Sequence, residues 1–176
     1  KKEKKSLEQN FLIDKNIINK IINIGNINKS KIIVEIGAGY GNLTTAILVA
    51  KPKKIFAIEK DKKLFSFLND MFRNYKNIKI INDDILNLIG KKNLGKNVIV
   101  FGNLPYNIST QILASLIMLE KWPPWYEVLI LMFQKEVANR ILAKPHTKEY
   151  GRLSVLSNWR LEIKKHFDVS KNSFFP

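Results

Sequence analysis

Cysteine is absent from this 176-residue chain, so no disulfide and no thiolate metal site can form. Histidine is nearly absent. The two present, His146 and His166, stand far apart without the spacing of metal ligands, and no metal is expected. No run of 18 or more apolar residues occurs, so no membrane span is expected. The first residues, Lys-Lys-Glu-Lys-Lys, lack the apolar stretch and cleavage site of a signal peptide, and a cytoplasmic location is expected. Acidic residues are scarce as well. Fifteen Asp and Glu stand against 30 Lys and Arg, a formal net charge of +15. That excess favours a polyanionic partner, nucleic acid before an anionic membrane surface, with salt-dependent binding. A compositional bias toward Lys, Ile and Asn would give the same excess without a partner.

What is present is apolar: 45% of the chain, enough for one core. Residues 1–8 read as a basic tail and 9–176 as one domain, with no internal repeat. Asp14 is placed to cap a helix whose Ile17, Ile18, Ile21 and Ile22 share a face. Strands are expected at 32–37, 55–59, 78–81, 98–101 and 128–133. Helices are expected at 43–50, 62–72, 110–119 and 136–142, and a last strand near Trp159–Phe167. Strands alternating with helices imply a mostly parallel sheet covered on both faces, a Rossmann-like α/β fold. In such sheets ligands collect outside the carboxyl ends of the strands.

The strand ends are therefore where chemistry is expected. The first leads into Gly37-Ala38-Gly39-Tyr40-Gly41, where a backbone can turn tightly and approach a ligand closely. Asn42 stands where the dinucleotide fingerprint has its last glycine, which suits a smaller anion such as an amino-acid carboxylate; a structural turn is the alternative. The second ends in Glu59, about 20 residues on, suited to the two hydroxyls of a ribose, or else a solvated charge. The third ends in Asn82-Asp83-Asp84, where a carboxylate can accept from an exocyclic amine or cap a helix. Carboxylate, ribose and adenine without phosphates are the parts of S-adenosylmethionine.

The fourth end is Asn103-Leu104-Pro105-Tyr106. Adenine's exocyclic amine is a poor nucleophile because its lone pair is delocalised into the ring. Acceptors on both N–H hydrogens, the Asn103 side-chain oxygen and the Leu104 carbonyl, would favour a pyramidal nitrogen. Pro105 would stiffen the turn and Tyr106 would stack an extruded base.

At these residues the chain resembles the small-subunit ribosomal RNA adenine N6,N6-dimethyltransferases of the KsgA type. The resemblance is carried by Gln-Asn-Phe-Leu (9–12), Glu-Ile-Gly-Ala-Gly (35–39), Ile-Glu-Lys-Asp (58–61) and Asp84. It continues through Asn-Leu-Pro-Tyr-Asn-Ile-Ser-Thr (103–110), Gln-Lys-Glu-Val-Ala-Asn-Arg (134–140) and Tyr-Gly-Arg-Leu-Ser-Val (150–155). It implies a class I S-adenosylmethionine-dependent methyltransferase fold, with Asn10, Leu12, Gly37, Gly39, Glu59, Asp84 and Asn103 at the cofactor. It also implies Asn103, Leu104, Pro105 and Tyr106 at the target adenine, and Phe174 as a second aromatic against that base, with core packing the competing role for Phe174. The implied substrate is a pair of adjacent adenines near the 3′ end of small-subunit rRNA in immature ribosomal subunits, acted on by a monomer. The resemblance further implies a strand and a small helical domain beyond Pro176, so this chain is expected to bind cofactor but to dimethylate rRNA poorly. Four other readings compete: a large-subunit rRNA methyltransferase of the macrolide-resistance type, a non-catalytic nucleic-acid-binding module, a nucleotide-dependent oxidoreductase, and a DNA adenine methylase, which more often carries Pro-Pro-Tyr after its Asp or Asn.

Overall fold

The structure is a computed structural model that describes residues 11–91 and 94–175. Five parallel strands form its sheet: β2 (Ile32–Ile36), β3 (Lys54–Ile58), β4 (Ile78–Ile81), β5 (Val98–Asn103) and β6 (Val128–Met132). Their spatial order is β4-β3-β2-β5-β6. The chain moves outward from β2 to β4, then returns to lay β5 on the other side of β2. The direction of winding reverses there, and a crevice opens between the carboxyl ends of β2 and β5. The register places Ile36 beside Ile58 on one side and Gly102 on the other, so the three strand ends lie level.

Both faces of the sheet are covered, and the alternation of side chains decides what meets what. Ile33, Ile55, Ala57, Ile99 and Phe101 point to one face. There they pack against α1 (Lys15–Ile24), α2 (Asn42–Val49) and α3 (Lys62–Met71) through Ile18, Ile21, Ile47 and Leu68. Val34, Ile36, Val98 and Val100 point to the other face, against Ile85 of α4 (Ile85–Leu88) and Ile112 and Leu116 of α5 (Ser109–Ile117). Asp14 caps α1 as the sequence predicts, its Oδ1 accepting from the Asn16 and Ile17 N–H groups at 2.9 and 3.3 Å.

The region after β6 differs from expectation. Trp159 and Arg160 end a helix, α7 (Arg152–Arg160), which packs beside α6 (Lys135–Leu142) and α5. The stretch 161–170 forms no strand. Its Leu161, Ile163, Phe167 and Val169 are half-buried and alternate with exposed residues, a strand-like pattern without a ladder. Among the described residues β6 pairs with β5 alone, which leaves the other edge of β6 without a strand partner.

A second, two-stranded sheet joins distant parts of the chain. β1 (Phe11–Leu12) runs antiparallel to β7 (Phe174–Phe175), with Leu12 opposite Phe174 and Phe11 opposite Phe175. The Ile13 N–H donates to the Ser173 carbonyl at 2.9 Å, and the Ser173 hydroxyl donates to Asp14 Oδ2 at 3.1 Å. No helix among the described residues is long and apolar enough to cross a membrane.

Candidate functional site

The alternation that builds the core also aims the polar side chains. Glu35 follows Ile33 by two positions on β2, Glu59 follows Ala57 on β3, and Asn103 follows Phe101 on β5. All three therefore continue the face covered by α1 and α2, at the carboxyl ends of adjacent strands. One pocket gathers them with Phe11, Leu12, Gly37, Gly39, Tyr40, Asn42 and the run Leu104-Pro105-Tyr106. Glu35, Glu59 and Asn103, 24 to 68 positions apart in sequence, thus share one wall because the sheet brings their strands level.

The glycine loop is shaped by its backbone. Gly37 and Gly39 have φ of +71° and +58°, a left-handed region costly for most side chains. At Gly39 a Cβ would also meet Phe11 Cδ1 at 2.9 Å. The Gly37 N–H donates to the Ile58 carbonyl at 2.8 Å, which ties the loop to the end of β3.

Glu59 is 3% exposed. Its Oε2 accepts from the Gly39 N–H at 2.9 Å and its Oε1 from the Asp61 N–H at 2.9 Å. The Asn82 side chain donates to the Glu59 carbonyl at 2.9 Å and braces the end of β3 from β4. Each carboxylate oxygen keeps a further lone pair toward the pocket. The solvated-charge alternative for this residue does not describe its surroundings.

The Asn103-Tyr106 run leaves the last residue of β5 directly. Leu104 is 2% exposed and packs into the core beneath the turn, anchoring it. The Pro105 carbonyl accepts from the Ile108 N–H at 3.2 Å, and α5 begins one residue later. Asn103 and Tyr106 both line the pocket.

Other expected site residues lie elsewhere. Asp84 is not in the pocket lining: its Oδ1 caps α4 by accepting from the Leu86 N–H at 3.0 Å, and its Oδ2 pairs with Lys60 Nζ at 3.0 Å. Phe174 sits opposite Leu12 and packs against the core cluster that holds Leu12, also outside the pocket. Asn10 falls outside the described residues.

Six lining residues stand outside the expected set: Phe11, Glu35, Ala38, Tyr40, Asn42 and Leu43. Asn42 donates to the Leu12 carbonyl at 3.0 Å and so fixes β1 over the glycine loop. Phe11 and Tyr40 meet edge-on with centroids 4.6 Å apart at the mouth. Glu35 had a visible signal, a charge within the apolar strand Ile-Ile-Val-Glu-Ile. It is 2% exposed and accepts from the Thr44 hydroxyl. Burial pushes its carboxyl up to about 8; the Thr44 hydrogen bond opposes this and the nearby Glu59 adds to it.

Comparisons with known proteins agree with this arrangement. The family model for ribosomal RNA adenine dimethylase matches residues 1–176. A ribosomal RNA small subunit methyltransferase A from Pelagibacter ubique is 50% identical over 175 residues, 99% of this chain and 66% of the relative. The chain thus spans about two thirds of that relative's length. A solved dimethyladenosine transferase from Plasmodium falciparum superposes with TM-score 0.70 at 32% identity, over 83% of this chain and 51% of that one. The 23S rRNA methyltransferase ErmE superposes with TM-score 0.63 at 25% identity, over 84% of this chain and 55% of that one. A parallel sheet with a glycine loop at its reversal point, an acidic residue ending the next strand and Asn-Leu-Pro-Tyr ending the fourth meet in one chain matched over its whole length, and the chain belongs to the ribosomal RNA adenine dimethylase family.

Proposed function

We propose that this chain is the cofactor-binding part of an S-adenosylmethionine-dependent methyltransferase that dimethylates adenine N6 in small-subunit rRNA. The observation that carries the reading is the meeting of Glu59, the glycine loop and Asn103-Tyr106 in one pocket on one face of the sheet. The lining suits the cofactor on its donor set. Glu59 offers carboxylate oxygens to a ribose diol, the left-handed loop allows close approach to an amino-acid end, and no Lys, Arg or His lines the pocket among the described residues. A phosphate-bearing dinucleotide would be poorly served by such a wall. Asp84, beyond the pocket lining, is proposed to meet the adenine amine from the end of β4, and Asn10 and Leu12 to contribute to the cofactor site.

When bound, the cofactor supplies a methyl carbon made electrophilic by its sulfonium sulfur. The protein's part is to orient the nucleophile. The Asn103 side-chain oxygen and the Leu104 carbonyl accept from the target amine and favour the geometry in which its lone pair is free. Pro105 limits the turn's freedom, and the buried Leu104 side chain keeps those acceptors in place. Tyr106 stacks the extruded base, a contact worth about 1–3 kcal/mol, and Phe174 is proposed as a second aromatic partner. No strong general base is required, because the methylated amine loses its proton readily to solvent.

The +15 charge supports an RNA partner through counterion release. The 50% identity to a small-subunit enzyme, against 25% to ErmE, favours small-subunit over large-subunit rRNA. Action in the cytoplasm on immature small subunits, as a monomer, completes the proposal. Calorimetric titration with S-adenosylmethionine, followed by methyl transfer to immature small subunits, tests it. Saturable cofactor binding is expected, and a chain that binds NAD but not S-adenosylmethionine would overturn the reading.

A further inference from the structure

Glu35 is the buried acid that the mechanism above leaves unused. Its neighbours in register are apolar, Ala57 on β3 and Phe101 on β5. From α2 the fully buried Thr44 donates its hydroxyl. The charged group facing it from the end of β3 is Glu59, of the same sign, and the other titratable groups lining the pocket are Tyr40 and Tyr106. None of these is a cation. An ionised Glu35 in the pocket as it stands would be an anion buried against a second acid, with one hydroxyl to compensate it, an arrangement proteins avoid by neutralising the group. Among the described residues no cation faces it, and a cationic ligand in the pocket would make its ionisation favourable.

We propose that Glu35 reads the charge of the cofactor: it holds a proton in the empty pocket, releases it when the cationic sulfonium form binds, and regains one when the neutral thioether product is left. This deepens the S-adenosylmethionine reading and rests on it. The proton balance is simple. On binding, the Glu35 O–H bond breaks and the proton leaves to solvent. After transfer the sulfur has lost its positive charge and the methylated amine has shed its own proton. Glu35 then takes one proton from solvent, so the net yield per methyl group is the single proton from the amine. The device favours substrate over product in a pocket that both fit sterically. The direction in which burial pushes the Glu35 carboxyl, to about 8, agrees with a protonated group near neutral pH.

The test is calorimetry at pH 7 in phosphate and in Tris, whose different ionisation enthalpies report protons released per ligand bound. Wild type is expected to release close to one proton with S-adenosylmethionine and far less with S-adenosylhomocysteine. Between pH 6 and 7, below the usual α-amino titration at about 7.7–8.0, S-adenosylmethionine affinity should rise by roughly 10-fold. Glu35→Gln, uncharged and of the same shape, should abolish both the release and the rise, and narrow the preference for cofactor over product. Should that variant fail to fold, Thr44→Val decides. Loss of the hydroxyl should move the bend in the affinity profile to higher pH, and an unmoved profile would overturn the proposal. Binding by wild type without proton release, or equal release with both ligands, also overturns it while leaving the cofactor reading intact. Wild type that takes up no S-adenosylmethionine at all overturns both.

Discussion

At the carboxyl ends of β2, β3 and β5, polar side chains face a pocket; on the flank around α5, α6 and α7 they reach backbone carbonyls. The flank shows the second pattern clearly. Arg160 donates through Nη1 to the carbonyls of Ile117 and Leu119 at 2.9 and 2.8 Å, closing the end of α5. Its guanidinium lies against the rings of Trp122 and Trp159, 4.6 and 4.0 Å from their centroids. The Tyr126 hydroxyl donates to the Leu116 carbonyl at 2.8 Å, and the Ser154 hydroxyl donates to the Arg140 carbonyl. Each of these groups is consumed in holding α5, α6 and α7 together. In the centre, by contrast, two buried acids and an Asn are brought to one wall of the pocket. Polar burial at the flank supports the fold, whereas at the centre it lines the pocket proposed to hold the cofactor.

That difference can be broken by substitution. The largest effect is expected from Asn103→Ala, which should lower methyl transfer to immature small subunits by about 100-fold or more while thermal melting changes little. Near-normal turnover would remove Asn103 from the reacting centre. Next is Glu59→Ala. The loss of a charged acceptor should weaken S-adenosylmethionine binding by about 1.5–3 kcal/mol in calorimetry. An unchanged dissociation constant would place the ribose elsewhere.

Arg160→Ala should give the opposite signature. Removing its two carbonyl hydrogen bonds and ring contacts should cost about 1–2 kcal/mol in urea unfolding, with cofactor affinity intact. A loss of affinity instead would show that the flank and the centre are coupled. The smallest effect is expected from Asp84→Asn, which keeps an oxygen to cap α4 and removes the charge. A few-fold loss of S-adenosylmethionine affinity is the expected result. If affinity stays level and only the melting temperature falls, Asp84 is a helix cap and partner of Lys60 and nothing more.

The contrast also explains what could be read in advance. Parallel strands buried on both faces are short, near-continuous apolar runs. Ile78–Ile81 was located to the residue, and the other four within one or two positions. Part of the pocket lining was legible for the same reason, since Gly37, Glu59 and Asn103 hang from those strand ends, whereas Asp84 and Phe174 lie outside it. The flank was not. The inward side of α7 is made of Leu153, Ser154 and Ser157, so two of its three buried residues are serine and carry no hydropathy signal. Small hydroxyl side chains let α7 approach α6 closely enough for Ser154 to reach the Arg140 carbonyl. The segment after it does alternate like a strand, which misled the reading of Trp159–Phe167, but alternation reports faces and not the presence of a partner to pair with. β1 and β7 have two residues each, too few for any period to show.

The pairing of those two short strands also bears on the order of synthesis. Leu12, at the wall of the pocket, finds its antiparallel partner in Phe174, and the Asp14 carboxylate meets the Ser173 hydroxyl across 159 positions of sequence. A nascent chain can raise β2 to β5 and fold the glycine loop early, because β3, β4 and β5 each pair with a strand already made. The strand that covers the loop has no partner until residues 173–175 leave the ribosome. The floor of the pocket is therefore made early and its cover last, and the closed site becomes available only when nearly the whole described chain has been synthesised.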